Sequence, residues 1–130
     1  MLLADTSAWI EFLIATGSAQ AHRMREAIAG REVVVIDPIL LEVMAGAQRE
    51  SVASLQRLLV AQHVAGLTPR LDWLDAARIY REFRLRGEML RSQMDALIAA
   101  VAIRLDVPVL HRDRDFDTIA QHTSLRIVPT

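Results

Sequence analysis

Three almost entirely apolar stretches of the chain each contain one isolated carboxylate. They are MLLADTSAWI with Asp5, PILLEVMAGA with Glu42 and MDALIAAVAI with Asp95. Taking a single ionised carboxylate out of water costs several kcal/mol unless a partner compensates its charge. Apolar runs of this kind fold into buried strands and helices, so each acid must either cap a helix or share a cation with the others. This feature constrains both the packing and the chemistry of the chain.

Short strand-like segments alternate with helical periodicity along the chain. Buried strands are predicted at residues 1–5 and in the segments REVVVID, HVAGLT, VPVLH and SLRIVP. Between them, the spacing of apolar residues predicts helices, one of which begins with Asp37 as cap and Pro38 at its first position. This alternation predicts an α/β fold with a central parallel sheet of about four to five strands, covered by helices on both faces.

The length and composition fit one domain that spans residues 1–130. The 130 residues suffice for a single core, and 52% of them are hydrophobic. No apolar run reaches the ~20 residues needed to span a bilayer, and the N-terminus lacks the basic region of a signal peptide. Cysteine is absent, which excludes disulfides and thiolate metal sites. We therefore expect a cytoplasmic protein with no membrane partner.

The charge balance argues against a globally basic nucleic-acid binder. The formal net charge is −1, although every basic residue is an arginine, the side chain that binds phosphate bidentately. Arginines are concentrated in the stretch RIYREFRLRGEMLR, from position 78 to 91. This stretch is either the solvated face of a helix or a local phosphate-binding patch.

Each isolated acid has a local interpretation as well as a functional one. Asp5 lies at the carboxyl end of the first strand, where it could cap the following helix. Glu42 lies about one turn into its helix, where a negative charge suits the helix dipole. Asp95 follows Ser92 at the spacing of a capping box, with Asp in place of the usual Glu or Gln. Taken singly, none of the three acids requires a functional site.

The segment HRDRDFDTI adds a further group of acids near the C-terminus. Asp113 follows the strand VPVLH by two residues, while Asp115 and Asp117 could be polar turn residues. Two strand ends and two helix starts would therefore deliver four acids to the same edge of a parallel sheet, which is where open α/β sheets bind ligands. This convergence favours one shared site over four separate caps.

Four carboxylates held together would repel one another and take up protons unless a divalent cation neutralised them. The expected donor set consists of oxygen atoms, without cysteine and without histidine beside the three isolated acids, and it favours Mg²⁺ or Mn²⁺ over Zn²⁺. Sites of this kind hydrolyse phosphodiesters, because the metal activates a water molecule and stabilises the leaving oxygen.

Four motifs occur in order along the chain: LLADTSAWIEFL, DPILLEVMAGA, SQMDALIAAVAIRLDVPVLHRDRDF and the closing LRIVP. As an ordered set they resemble the PIN-domain ribonuclease family, and within it the VapC-type toxins of VapBC toxin–antitoxin systems. The resemblance implies a three-layer α/β/α sandwich and an endoribonuclease with a Mg²⁺-dependent acidic site, in which Mn²⁺ can substitute. It also implies a homodimer and a small VapB-type antitoxin whose C-terminal segment blocks the acidic pocket.

Matched position by position, the resemblance assigns roles to particular residues. The expected catalytic acids are Asp5, Glu42, Asp95 and Asp113. The expected metal ligands are Asp5, Asp95, Asp113 and Asp115, with the choice between the last two left open. Contacts with the substrate are expected from Thr6, Arg112 and Arg114. His111 stands where the family often has Thr or Ser, and we expect it to support the structure, with contact to the substrate as the alternative.

Other classes of protein fit the sequence less well. A receiver domain needs adjacent acids after its first strand and a lysine after its last, and this chain has no lysine. A haloacid-dehalogenase-like phosphatase needs Asp-x-Asp after strand one, where this chain has Asp-Thr-Ser. A non-catalytic PIN-fold binding module would lack one or more of the acids. A housekeeping RNA-processing PIN nuclease is the nearest alternative to a toxin.

Overall fold

Strands and helices alternate throughout the computed structural model, which describes residues 1–130. The strands are β1 (Leu2–Ala4), β2 (Val33–Ile36), β3 (His63–Ala65) and β4 (Val109–Leu110). The α-helices are α1 (Thr6–Leu13), α2 (Ala19–Ala29), α3 (Asp37–Ala45), α4 (Val52–Val60), α5 (Leu71–Leu85), α6 (Gln93–Leu105) and α7 (Arg114–His122). A 3₁₀ turn at Arg49–Ser51 precedes α4. None of these helices combines the length and the apolar character that crossing a membrane requires.

The strands form one parallel sheet in the order β3-β2-β1-β4. The chain moves outward from β1 to β2 and β3, and then returns to place β4 on the other side of β1. Connections that leave in opposite directions open a crevice at the carboxyl ends of β1 and β4. Ala4 is in register with Leu110, so these two strands end side by side at that crevice.

The sheet is enclosed by helices. Every residue of β1, β2 and β4 is buried, which requires cover on both faces, since successive side chains of a strand point to opposite sides. The predicted fold class, a parallel sheet flanked by helices, is therefore confirmed.

Helix α6 is the most deeply buried helix. All residues from 95 to 102 are buried, and four of them are the alanines Ala96, Ala99, Ala100 and Ala102. A methyl side chain adds little bulk, so the helix backbone lies close to its neighbours in a tightly packed interior. This packing sets the position of Asp95 in the first turn of the helix.

A buried ion pair joins the start of α5 to the end of α6. The fully buried carboxylate of Asp72 accepts hydrogen bonds from Nε and Nη2 of Arg104, at 2.7 and 2.8 Å. The backbone N–H of Thr68 donates to the same carboxylate at 2.6 Å, and Arg104 also donates to the carbonyl of Gly66 at 3.1 Å. The hydrogen bonds from Arg104 lower the pKa of Asp72 below its usual value. The pair thus fixes two helices and the loop that leads to α5.

The C-terminal segment SLRIVP does not form the full strand predicted for it. Only Ile127 makes a parallel bridge, to Val109, so the sheet has four strands. The reason is that β4 itself spans only Val109–Leu110 and offers a short edge for pairing.

Two helix boundaries also differ from prediction. Asp37 is the first residue of α3 and makes no capping hydrogen bond, since Ile36 takes the cap position. The arginine-rich stretch from 78 to 91 is not one helix, because α5 ends at Leu85 and Gly87 adopts a φ of 78°. Glycine tolerates this left-handed conformation, and the chain leaves the helix there as a loop.

Arg104→Ala is expected to lower the free energy of unfolding by about 3–5 kcal/mol, because it leaves the Asp72 carboxylate buried without its counter-charge. Urea denaturation at pH 7 measures the loss. Asp72 has a lowered pKa in the folded state, so its pair stabilises the protein above the unfolded-state pKa of about 4. The difference in the free energy of unfolding between the variant and the wild type should therefore become smaller as the pH falls below about 4.

Arg126→Ala is the matched control. Arg126 pairs with Asp106 at 3.0 Å, but 56% of its side chain and 90% of that of Asp106 are exposed. Removing an exposed pair should cost about 1 kcal/mol or less. Equal losses in the two variants would contradict the role assigned to the buried pair.

Candidate active site

The carboxyl ends of β1 and β4 carry the first two acids of the site. Asp5 directly follows β1 and caps α1, and Asp113 follows β4 and caps α7. The capping interpretation of Asp5 is thus correct, and Asp113 caps a helix as well, which was not predicted. Neither cap competes with a shared site, because the capped helices start at the same crevice.

Asp5 is held by a short hydrogen-bond chain that crosses between the two strand ends. Its Oδ2 accepts hydrogen bonds from the hydroxyl of Ser7 at 2.6 Å and from the Ser7 backbone N–H at 3.1 Å. The Ser7 hydroxyl in turn accepts the backbone N–H of Arg112 at 2.9 Å. Ser7 therefore ties the β1–α1 turn to the β4–α7 turn. Of the two hydroxyls after Asp5, it is the one that contacts this acid.

Thr6 supports Glu42. Its hydroxyl donates a hydrogen bond to Glu42 Oε1 at 2.8 Å, which links the start of α1 to the second turn of α3. Burial raises the pKa of the Glu42 carboxyl, the Thr6 hydrogen bond opposes that rise, and the charge of Asp5 adds to it. In this structure the predicted substrate residue Thr6 therefore orients one of the acids.

The closest group of acids consists of Asp95, Asp113 and Asp115. One carboxylate oxygen from each lies within 4.8 Å of the others. Asp95 and Asp115 are buried and Asp113 is partly buried. Both Asp113 and Asp115 face Asp95, so the choice between them as metal ligand stays a prediction. Asp95 itself does not close a capping box, since the Ser92 hydroxyl accepts the backbone N–H of Met94.

Burial and neighbouring charges shift the pKa values of Asp95 and Asp113 in opposite directions. Burial, then the charges of Asp113 and Asp5, raises the pKa of Asp95 to about 8. Burial also acts on Asp113, but hydrogen bonds from the Asp115 N–H and the Arg91 guanidinium outweigh it and hold the Asp113 pKa below its usual value. Burial raises the pKa of Asp5, although the hydrogen bonds of Ser7 offset part of the rise. At neutral pH, Asp95 is therefore protonated beside an ionised Asp113.

His111 shapes the turn that carries Asp113. Its Nδ1 accepts the backbone N–H of Asp113 at 2.9 Å, so this nitrogen carries no proton. Its Nε2 lies 3.1 Å from Asp117 Oδ1 and donates to it. The buried ring also lies 5.3 Å from the ring of Phe116, between centroids. His111 thus holds the start of α7 through both ring nitrogens.

The sequence did not single out Arg91, which contacts two of the acids. Its Nη2 lies 2.5 Å from Asp113 Oδ1, its Nε lies 3.5 Å from Asp115 Oδ2, and its backbone N–H donates to Asp115 Oδ2 at 2.8 Å. The available signal was its place next to the Ser92 cap, which puts it one turn from Asp95. No spacing in the sequence relates position 91 to the acids that follow β4.

The two arginines that were predicted to contact the substrate differ in their surroundings. The Arg112 guanidinium pairs with Glu11 on α1. Arg114, at the start of α7, is exposed and has no ion pair. Both lie beside the acids, in a polar depression that also includes His111 and Asp117.

The residues present fit a divalent cation. Three carboxylate oxygens converge within 4.8 Å, and the donors are hard oxygen atoms of the kind that Mg²⁺ and Mn²⁺ prefer. Burial, and then the charges of Asp113 and Asp5, raise the pKa of Asp95, and a bound cation would oppose these effects. Asp5 and Glu42 stand next to the group and complete its acidic wall.

Known proteins match this chain over almost its whole length. Residues 2–121 match the family model described as PIN domain. The chain is 40% identical over 129 residues to Ribonuclease VapC11 of Mycobacterium tuberculosis (strain H37Rv) and to a VapC ribonuclease of Mycobacterium bovis. Each alignment covers 97% of this chain and 96% of the relative.

Two solved structures share the fold. VapBC2 from Rickettsia felis, bound to a DNA fragment from its promoter, superimposes with a TM-score of 0.76 at 13% identity, covering 98% of this chain and 96% of that one. VapC20 of M. tuberculosis, described as a Sarcin-Ricin loop cleaving toxin, superimposes with a TM-score of 0.64 at 22% identity, covering 97% and 99%.

Asp95→Asn is expected to stabilise the metal-free protein at pH 8 by on the order of 2 kcal/mol. A raised pKa means that the folded state favours the protonated acid. Wild-type stability is therefore lost progressively as the pH rises from about 4 to about 8. Asparagine cannot ionise, so the variant should escape this loss, and the stabilities of the two proteins should converge near pH 4. Urea unfolding in the presence of a chelator, from pH 4 to pH 9, measures the difference in the free energy of unfolding.

Asp106→Asn serves as the control, because 90% of the Asp106 side chain is exposed. Its effect should stay within about 0.5 kcal/mol at every pH. A wild-type pH profile that runs parallel to that of Asp95→Asn would contradict the assignment.

Proposed function

The chain belongs to the PIN-domain family, and from this premise we propose that it is a metal-dependent endoribonuclease that acts as the toxin of a type II toxin–antitoxin system. Its substrate is RNA, and the reaction is hydrolysis of a phosphodiester bond. We propose Mg²⁺ as the cation, with Mn²⁺ able to replace it. The names of the VapC relatives support the ribonuclease activity.

One observation of the site carries the proposal. Carboxylates from three separate elements, α6, the β4–α7 turn and α7, converge within 4.8 Å at the crevice where β1 and β4 end. Asp5 and Glu42 border the same crevice from α1 and α3. A structural role would not require so many acids at mutual repulsion, whereas a cation-dependent phosphodiesterase does.

The residues divide the work at this site. When bound, the cation neutralises the acids and provides the Lewis acid that activates water and stabilises the leaving oxygen. Asp95 would hold the cation as a carboxylate, with its proton released to solvent, and Asp113, which the Asp115 N–H orients, would hold it from the β4–α7 turn. A hydrogen bond from Ser7 orients Asp5, and one from Thr6 orients Glu42, so both carboxylates are held in position at the crevice before a ligand binds.

Arginines would hold the phosphates that flank the scissile bond. Arg114 is the better placed of the two candidates, because it is exposed and its guanidinium has no ion pair. Arg112 would first have to leave Glu11, whose carboxylate it contacts. Bidentate binding to phosphate suits the guanidinium group of either residue.

Asp5→Asn and Asp95→Asn are each expected to reduce RNA cleavage by about 100-fold or more, since each removes a charge that the cation requires. Chelation of the metal should have the same effect on the wild type, and added Mg²⁺ or Mn²⁺ should reverse it. A gel-based cleavage assay on total RNA measures the loss, and circular dichroism checks the fold.

Asp106→Asn is again the matched substitution, because Asp106 lies at the end of α6 remote from the acids and its exposed carboxylate pairs with Arg126. It should retain wild-type activity. Mg²⁺-dependent cleavage that persists in both site variants would overturn the proposed site. Cleavage that survives the chelator would overturn the metal requirement.

The proposed antitoxin would bind a groove that begins at the acids. This groove, of about 640 Å³, has Thr6 and Glu42 at one end and continues between α1 and α4. Its apolar walls include Ile10, Ile14 and Leu58. Ile10 and Ile14, four residues apart on this wall, are 46% and 66% exposed, and adjoining exposed apolar side chains of this kind mark an interaction surface. An antitoxin segment seated here would reach the acidic site.

A second apolar surface is the proposed homodimer contact. Leu41 on α3 and Trp73 and Leu74 on α5 are 64%, 56% and 68% exposed. They flank a depression of about 400 Å³ that Leu41 and Trp73 line with Met94 and Leu97. This surface is distinct from the groove between α1 and α4, so the chain can bind a second copy and an antitoxin together.

Reciprocal substitutions separate the two contacts. Ile14→Arg is expected to weaken capture of a co-expressed VapB-type antitoxin by about 10-fold or more, while the protein stays a dimer. Trp73→Arg is expected to produce monomers that still capture the antitoxin. Light scattering measures the oligomeric state, and pull-down of the co-expressed partner measures capture. A monomeric wild type that co-purifies with no small partner would contradict both assignments.

A further inference from the structure

The loop between α5 and α6 places a guanidinium directly on the acidic site. Arg91 lies in this loop, with Nη2 at 2.5 Å from Asp113 Oδ1 and Nε at 3.5 Å from Asp115 Oδ2. The Arg91 side chain is 61% exposed, whereas Asp113 and Asp115 expose only 20% and 9% of theirs. The guanidinium of Arg91 therefore reaches the acids from the solvent side and is not part of the core.

The backbone of Arg91 is anchored independently of its side chain. Its N–H donates to Asp115 Oδ2 at 2.8 Å, and the next residue, Ser92, caps α6 through a hydrogen bond to the Met94 N–H. These contacts hold the end of the loop whether or not the guanidinium touches Asp113. The side chain can thus leave the acids without unfolding the loop.

A guanidinium and a divalent cation would compete for the same carboxylates. Asp113 and Asp115 are the two acids that Arg91 contacts, and both belong to the group whose oxygens converge within 4.8 Å. Two cations sharing these oxygens would repel each other, and each oxygen has a limited number of lone pairs to offer. Occupation by one should therefore weaken binding of the other.

We propose that Arg91 is a positioning residue that acts as an exchangeable counter-cation: its guanidinium holds Asp113 and Asp115 in place in the metal-free protein and leaves Asp113 when a divalent cation binds. The inference rests on the proposed function in one respect, that these acids are the cation site. It adds that the affinity for the cation is set by a competitor within the same chain.

The test is direct binding of Mn²⁺ at pH 8, measured from the electron paramagnetic resonance signal of the free ion. Arg91→Gln is expected to bind Mn²⁺ on the order of tenfold more tightly than the wild type, because the competing charge is gone. Arg91→Lys keeps the charge but loses the planar fork, and it should fall between the two.

Arg114→Gln is the matched control, since it removes the same charge beside the same acids from a residue that has no ion pair. Its Mn²⁺ affinity should rise by less than about threefold, as expected for an exposed and screened charge. Equal gains in Arg91→Gln and Arg114→Gln would overturn the proposal, because general electrostatics would then explain both. Weaker binding by Arg91→Gln would also overturn it.

Thermal unfolding gives a second readout that does not involve RNA. With a chelator present, Arg91→Gln should melt at a lower temperature than the wild type, and saturating Mn²⁺ should narrow the gap. If Arg91→Gln fails to fold, the comparison of Arg91→Lys with the wild type decides, and unchanged Mn²⁺ affinity overturns the proposal. Mn²⁺ binding that is unchanged by the Arg91 substitutions would reject the exchange alone. Failure of the wild type to bind Mn²⁺ would reject the proposed metal site as well.

Discussion

Repulsion among carboxylates that share one corner of the sheet is the constraint on which the rest of the structure depends. Each acid meets it in a different way. Asp95 keeps its proton, Asp5 accepts two hydrogen bonds from Ser7, and Asp113 and Asp115 share the guanidinium of Arg91. The retained proton, the hydrogen bonds and the single guanidinium offset only part of the repulsion between the acids. A divalent cation would offset the rest. Stability and chemistry thus draw on the same charges.

The topology explains why the acids meet at all. With β4 placed on the far side of β1, the chain segments that follow both strands enter one crevice, and α6 brings its first turn to the same place. The Asp72–Arg104 pair at the opposite ends of α5 and α6 keeps these two helices in register. The site therefore rests on contacts distributed over most of the chain, and few of them involve the acids themselves.

Much of this could be predicted from the sequence, because it depended on short-range patterns. Buried strands, the helices between them and the acids at strand ends follow from periodicity and from the rule that parallel strands end at one edge. The roles of the acids remain predictions. Arg91 and Ser7 could not be assigned in this way, since their contacts are set by side-chain reach across loops. The prediction of a closing strand at SLRIVP was wrong for a related reason. How many residues of this segment pair depends on the length of β4, which the sequence of the segment does not determine.

The alanines of α6 also affect how the protein can change in evolution. A buried helix that packs through methyl groups leaves little free space, so a larger residue at Ala99 or Ala102 is expected to displace the helix from its neighbours. Asp95 would move with it and lose its alignment with Asp113, although the substituted positions lie about one and two turns away. Inactive natural variants could then arise from conservative changes deep in the core. Sequence drift in this interior helix is therefore limited by catalysis as much as by folding.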